Sequence, residues 1–257
     1  MRLGVLGVGH LARAILKGLD RAGVDPSQVI LSPRGHGPEL AAAQGYGLAA
    51  DNVELVARAD VVLLAVRPAA AASAVTGLPW RAGQVLLSAC AGVSADTLSS
   101  VAPGARVVRI MPMTAAEIGR SPTTIFPDDP VARGWIEKLG PVVPLAREQD
   151  FEVATVSAAV YGWAQDLIAR TADWSAAQGL DAATARLLVA RTFEGAGALI
   201  AEKPEPMPQL LEELVTPGGI TERGLQVLGG AGLPAAWDAA CQAVLDKLRD
   251  QRPGGSP

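Results

Sequence analysis

Three groups of residues have the types and spacing to do chemistry. The first is Gly7-x-Gly9-x-x-Ala12, which follows the apolar run Leu3-Gly4-Val5-Leu6 and opens a helical stretch. Gly7 permits a tight turn. Gly9 has no Cβ, so a pyrophosphate can approach the backbone, and Ala12 lets the helix pack close to the strand. The free amides and dipole of a helix opening at His10 and Leu11 then stabilise an anion. That is dinucleotide-binding chemistry. The second group ends the next apolar run, Val29-Ile30-Leu31-Ser32-Pro33-Arg34. A site for NAD offers a carboxylate about 20 residues beyond the glycines, to take the ribose 2′-hydroxyl. None stands here. Ser32 can donate to a 2′-phosphate and Arg34 can pair with it, which favours NADPH over NADH; an ordinary solvated loop arginine is the other reading of Arg34. The third group is Thr216-Pro217-Gly218-Gly219-Ile220-Thr221. Pro217-Gly218-Gly219 cannot continue a helix, Thr221 can start the next one as a cap, and the exposed amides form an anion pocket. Taken alone, Thr216 and Thr221 are explained equally by helix capping.

Elements must hold these groups in place. The front half alternates short apolar runs with helical stretches: strands at 3–6, 29–31, 61–66, 84–88 and 106–110, and helices at 12–22, 38–44, 52–57, 69–76 and 94–101. A last unit pairs a helix at 131–138 with a strand at 142–145. Continuous apolar strands between helices are what a parallel sheet covered on both faces requires. Ala65, Val66, Arg67 and Pro68 then lie at the carboxyl edge of that sheet, where a bound cofactor lies, and Ala91 and Gly92 are small enough to line a nicotinamide. A simple tight turn explains Ala91 and Gly92 equally well. After about residue 147 no strand is convincing. Helical spacing recurs at 150–178, 182–201, 209–214, 221–228 and 234–248, broken at Lys203-Pro204-Glu205-Pro206-Met207-Pro208. The expected organisation is an α/β Rossmann-like dinucleotide-binding domain over 1–147, followed by an all-α domain over 148–257.

Composition narrows the function. With 257 residues the chain holds one large domain or two smaller ones. A net charge of −4 and a pI near 5.3 supply no basic stripe, so nucleic acid is not an expected partner. Cys90 and Cys241 are the only cysteines; they are expected to be buried reduced thiols, with no spacing that suits a metal. No stretch of about 18 uncharged apolar residues suggests a membrane span. The first strand begins almost at once, without the parts of a signal peptide, so a cytoplasmic location is expected. Residues 252–257 are expected to form a disordered tail.

Taken together, the motifs resemble the pyrroline-5-carboxylate reductase family over nearly the whole chain. Gly7-Val8-Gly9-His10-Leu11-Ala12 is similar to its cofactor loop, and Ala65-Val66-Arg67-Pro68 to its Ala-Val-Lys-Pro. Ala91-Gly92-Val93-Ser94 and Arg109-Ile110-Met111-Pro112 fall in its order. The most specific match is Thr216-Pro217-Gly218-Gly219-Ile220-Thr221, similar to Ser-Pro-Gly-Gly-x-Thr. The resemblance implies NADPH-dependent reduction of the C=N bond of a cyclic imino acid, 1-pyrroline-5-carboxylate to proline. It also implies a substrate carboxylate at Thr216, Gly218 and Gly219, the imine nitrogen at the Thr221 hydroxyl, and a homodimer or larger homo-oligomer through the helical half. Three departures bear on the substrate: Met113 in place of an asparagine, Val156-Ser157-Ala158-Ala159-Val160-Tyr161-Gly162-Trp163 in place of a glycine- and proline-rich helix start, and His10 in place of another asparagine. A different cyclic imine, six-membered or from specialised metabolism, is therefore a second reading, and a non-catalytic NADPH-binding member a third. A β-hydroxyacid dehydrogenase would need a lysine between Glu148 and Glu202, and a short-chain dehydrogenase would need Tyr-x-x-x-Lys. The chain has no lysine in that interval, and Gln165 stands four residues after Tyr161.

Overall fold

The computed structural model describes residues 1–250; the expected tail at 252–257 lies outside the described residues. The described residues divide into two compact units, one formed by Met1–Ala158 with residues 244–250, the other by Ala159–Ala243.

The first unit is built on an eight-stranded sheet: β1 (Leu3–Leu6), β2 (Val29–Leu31), β3 (Gly47–Leu48), β4 (Val61–Leu64), β5 (Val85–Ser88), β6 (Arg106–Met111), β7 (Thr123–Phe126) and β8 (Val142–Pro144). Their order is β3-β2-β1-β4-β5-β6-β7-β8. Helices α1 (His10–Arg21), α2 (Gly37–Gln44), α3 (Asn52–Arg58), α4 (Ala71–Val75), α5 (Ala95–Val101) and α6 (Pro130–Ile136) connect them. Alternate residues of each strand feed two cores. Val5, Leu63 and Leu87 pack with Ile15, Leu16 and Leu19 of α1 on one face. Leu6, Val62, Leu64 and Leu86 pack with Leu55 and Leu98 on the other. The alternation follows from the two-residue period of a strand, and it explains why these strands read as continuous apolar runs.

The sheet is mixed, which corrects the parallel expectation. β7 pairs antiparallel with β6, Arg109 facing Phe126, and β8 then runs parallel to β7. β7 lies in Thr123-Thr124-Ile125-Phe126, a β-branched run bounded by Pro122 and Pro127, whose punctuation is a strand signal. β3 was also unexpected; two residues give no periodicity to read.

The first unit runs beyond residue 147 because the root of the next helix belongs to it. That helix, α7, spans Phe151–Ala177, and its Phe151, Glu152 and Thr155 are buried. Arg109 of β6, 1% exposed, ties this root down. Its Nη1 donates to Glu148 Oε1 at 2.9 Å, its Nη2 donates to Glu152 Oε1 at 2.8 Å, and its guanidinium carbon lies 4.0 Å from the centroid of the Phe151 ring. Glu148 Oε1 also accepts from the Ala95 amide at 2.8 Å, at the head of α5.

The second unit is helical throughout. It contains the rest of α7, then α8 (Ala182–Glu202), α9 (Met207–Leu214), α10 (Ile220–Gly230) and most of α11 (Leu233–Asp250). The expected break after α8 is present, but α9 starts at Met207 because a proline is tolerated in a first turn. Only Ala185 and Val189 of this unit are buried. Leu187, Leu188, Leu199, Ile200, Leu225 and Val227 are all exposed, so the unit has little core of its own. Trp163 packs edge-on against Trp237, ring centroids 5.4 Å apart and planes at 84°. Among the described residues no helix is long and apolar enough to cross a membrane, and no group of three His, Cys, Asp or Glu residues is placed to hold a metal.

Candidate functional site

From β1 the chain winds outward through β2 to β3, then crosses back to lay β4 on the other side of β1. The carboxyl ends of β1 and β4 therefore flank the topological switch point, where open α/β sheets bind ligands. Gly7 follows β1 there with φ +97°, and a Cβ on it would stand 2.6 Å from Val66 Cγ1 and 2.8 Å from the Ala65 carbonyl oxygen. Glycine is required by both conformation and space. Gly9 differs: a Cβ on it would meet nothing within 4 Å. The protein leaves the space in front of it open, as an approaching phosphate requires. Gly9 is the N-cap of α1, with no capping side chain, so the first amides of that helix face a prospective anion. His10, exposed, and Leu11, half-buried, form its first turn.

The tip of β2 supports this loop as well as extending it. Ser32 is buried, and its Oγ accepts from the Gly7 amide at 3.2 Å, a brace that the sequence did not reveal. The hydroxyl proton stays available for donation. The His36 amide donates to the Val8 carbonyl at 3.2 Å, and the His36 ring lies 3.4 Å from Glu39 Oε2. Arg34 is exposed and has no ion-pair partner among the described residues. With Gly7, Ser32, Asn52 and Val66 it lines one open cleft of about 410 Å³. Asn52 was read only as a helix start. Its neighbours carry the signal for that: Asp51 accepts from the Glu54 amide at 2.8 Å while Glu54 accepts from the Ala50 amide at 2.7 Å, a reciprocal capping pair. The Ala50 amide and then Arg58 hold the Glu54 carboxyl below its usual range. The Asn52 carboxamide is left at the cleft.

On the other side of the switch point, Ala65 and Val66 are half-buried, Arg67 is exposed and Pro68 opens a 3₁₀ turn. Cys90 links this end to β5: its buried thiol lies 3.7 Å from the Leu64 carbonyl and 3.4 Å from that of Val66. Burial pushes the Cys90 thiol up from its ordinary value. Ala91 and Gly92 follow in a turn that needs φ +73° at Gly92. Cys241 is half-buried, against the expectation of a buried thiol.

The Pro-Gly-Gly loop belongs to the second unit. Gly218 adopts φ +72°, and α10 begins at Ile220 with Gly219 as N-cap and no capping side chain. Thr221 is therefore a residue of the first turn and not the cap that was expected. Its hydroxyl is half-buried and makes no hydrogen bond among the described residues. The glycine amides differ from the open pair expected. The Gly219 amide donates to the Thr216 carbonyl at 2.9 Å, and the Gly218 amide donates to Glu222 Oε2 at 2.7 Å. Thr216 Oγ1 lies 2.4 Å from where a Cβ on Gly219 would stand, so the loop closes on itself too tightly for any side chain there.

Comparison with known proteins supports both halves. A family model described as pyrroline-5-carboxylate reductase dimerisation matches residues 148–251, and one described as NADP oxidoreductase, coenzyme F420-dependent, matches residues 2–92. Pyrroline-5-carboxylate reductase 3 of Xenopus laevis is 28% identical over 262 residues, covering 96% of this chain and 95% of its own length. Among solved structures, the 1-pyrroline-5-carboxylate reductase of Streptococcus pyogenes matches with a TM-score of 0.84 at 24% identity, covering 97% of this chain and 98% of that one. The NADP-bound pyrroline carboxylate reductase of Plasmodium falciparum matches with a TM-score of 0.85 at 21% identity, covering 98% of each. At those identities the structures show a shared fold. A glycine loop after a first strand is common to many dehydrogenases and would not decide the matter. The joint match of both halves, in order and over nearly the whole length, is more specific: this chain is similar from end to end to proteins named pyrroline-5-carboxylate reductase.

Proposed function

We propose that the chain reduces the C=N bond of a cyclic imino acid with NADPH, converting 1-pyrroline-5-carboxylate to proline, the reaction that its relatives' names describe. The observation that carries this reading is the open cradle at the switch point, where Gly9 leaves space and the head of α1 lacks a cap. The hydride is the chemistry that NADPH supplies when bound. The amides of α1 hold the pyrophosphate, and Arg34, Ser32 and Asn52 hold the 2′-phosphate end. Arg67, Pro68, Ala91 and Gly92 border the nicotinamide end. Thr221 hydrogen-bonds the imine nitrogen through its hydroxyl and relays to it a proton replaced from water, so that the nitrogen becomes the amine and the threonine stays neutral. Thr216 and the loop of Gly218 and Gly219 shape the pocket for the substrate carboxylate. Formation of one proline for each NADPH consumed, on addition of 1-pyrroline-5-carboxylate, tests the reaction.

The cofactor preference follows from Arg34. Its guanidinium has no partner among the described residues, and no carboxylate side chain lines the cleft of Gly7, Ser32 and Asn52. Replacing Arg34 with Ala removes one charge-assisted contact, which is worth about 1.5–3 kcal/mol. NADPH affinity should fall by roughly 10–100-fold while NADH affinity stays near its starting value. Titration of both cofactors into both proteins checks this, and an equal loss for the two would show that Arg34 does not read the 2′-phosphate.

The helical unit pairs with a second copy in this reading. Its exposed leucines and isoleucines are an apolar surface that monomers rarely leave open, and its length matches a dimerisation model. Sedimentation at micromolar concentration should give twice 26.3 kDa or a multiple of it. A fully active monomer would contradict the pairing.

A further inference from the structure

We infer that Glu222 is a specificity-determining residue of the substrate site, an internal carboxylate that holds the amide a substrate carboxylate would take. The inference rests on the proposed placing of that carboxylate at the Pro-Gly-Gly loop. Glu222 is the third residue of α10 and reaches back across Thr221 and Ile220 to accept the Gly218 amide at 2.7 Å. The other glycine amide is already engaged with the Thr216 carbonyl. Neither glycine of the loop therefore offers a free donor, and the group nearest that vacant role is negatively charged.

The contact has local support. A carboxylate in the first turn of a helix interacts favourably with its dipole, and a glutamate at this position commonly reaches back to an amide ahead of the helix. The same geometry has a consequence for a ligand. An anionic substrate that uses the loop must displace Glu222 from Gly218 and then lie beside its displaced charge, and like charges brought together oppose binding. A ring imine without a carboxylate meets neither cost. Glu222 thus lowers the preference of this chain for the carboxylate-bearing ring over the bare one. Thr221, one residue before Glu222, can serve both, because the imine nitrogen is common to them.

Two variants separate charge from support. Glu222→Gln keeps an oxygen that can accept the Gly218 amide but removes the charge; Glu222→Ala removes both. In the full-length protein with NADP⁺ present, calorimetry should show L-proline binding roughly ten-fold or more tightly to both variants, with the gain shrinking at high salt because the site is partly exposed. Binding of pyrrolidine, the same ring without a carboxylate and a cation at neutral pH, should not tighten. The Michaelis constant for 1-pyrroline-5-carboxylate should fall in parallel, and that for 1-pyrroline should not. L-proline binding that is unchanged or weaker in both variants would overturn the inference and make Glu222 a brace of the loop. The proposed reaction fails separately: tighter L-proline binding with no imine reduced by any form would support the role of Glu222 and contradict the activity.

Discussion

Replacing Thr221 with Val should lower turnover of the best imine by roughly 10²–10⁴-fold, the usual cost of losing a positioned proton donor, and leave NADPH affinity unchanged. Valine keeps the shape and the β-branch of threonine and removes only the hydroxyl. The structure makes the experiment cleaner than the sequence suggested. Because Gly219 is the N-cap of α10 and Thr221 sits inside the first turn, the substitution removes no helix cap. A fall in activity therefore cannot be assigned to fraying of the helix. The hydroxyl makes no hydrogen bond among the described residues, so nothing else in its surroundings is disturbed. Thr216→Val is the natural control. Thr216 Oγ1 packs against Gly219, so its loss should chiefly raise the Michaelis constant. Stopped-flow or steady-state assay of both variants separates the two roles. Unchanged turnover in Thr221→Val would remove Thr221 from the chemistry, and the proton would then have to come directly from water or from the substrate.

Arg109→Met should destabilise the first unit by about 3–5 kcal/mol, the usual cost of removing one partner from a buried ion pair. Against a net stability of roughly 5–15 kcal/mol for a folded protein, that is a large share. Arg109 is 1% exposed, and its partner Glu152 is equally secluded at 1%. The substitution takes two guanidinium bonds from Glu148 and Glu152 and the stacked cation from the face of Phe151. Urea unfolding followed by circular dichroism measures the loss. Methionine is apolar and of similar length, so the effect reports the charges and not a cavity. The double variant Arg109→Met with Glu152→Met should recover much of the stability, because an apolar pair of similar volume often equals a buried ion pair. A single variant within about 1 kcal/mol of the original would mean that the root of α7 is held by packing alone.

The parts legible in the sequence are those written in local signals. The apolar run of β1, the two glycines and Ala12 lie within ten consecutive residues, and the structure brings them to the switch point in the expected strand–turn–helix. The loop before α10 was legible for the same reason, since proline and glycine punctuate a chain wherever they fall. What was not legible depends on partners far apart. Arg109 meets residues 39 and 43 positions away, and nothing in Arg-Ile-Met-Pro announces a buried cation. Ser32 was read as a phosphate donor on its position at a strand tip, and its brace on Gly7 spans 25 residues. β7 was passed over because four residues between prolines carry a weak signal, and its antiparallel direction is set by the chain turning back after β6. Glu222 is a different case. It stands four residues from Gly218, close enough to be seen, but the loop was read as a pair of open amides, and a glutamate in a first turn ordinarily attracts no notice.

The most direct test of the account is a single mixing experiment on the unaltered protein. NADPH is added and its binding measured by fluorescence, then 1-pyrroline-5-carboxylate and 1-pyrroline are supplied in turn while the reduced nicotinamide absorbance is followed. The account predicts that NADPH binds before either imine is present and that its absorbance then falls, with one ring amine formed for each NADPH lost. Tight NADPH binding with no loss of absorbance on adding either imine would contradict it and leave a nucleotide-binding protein that has the fold of its relatives without the chemistry.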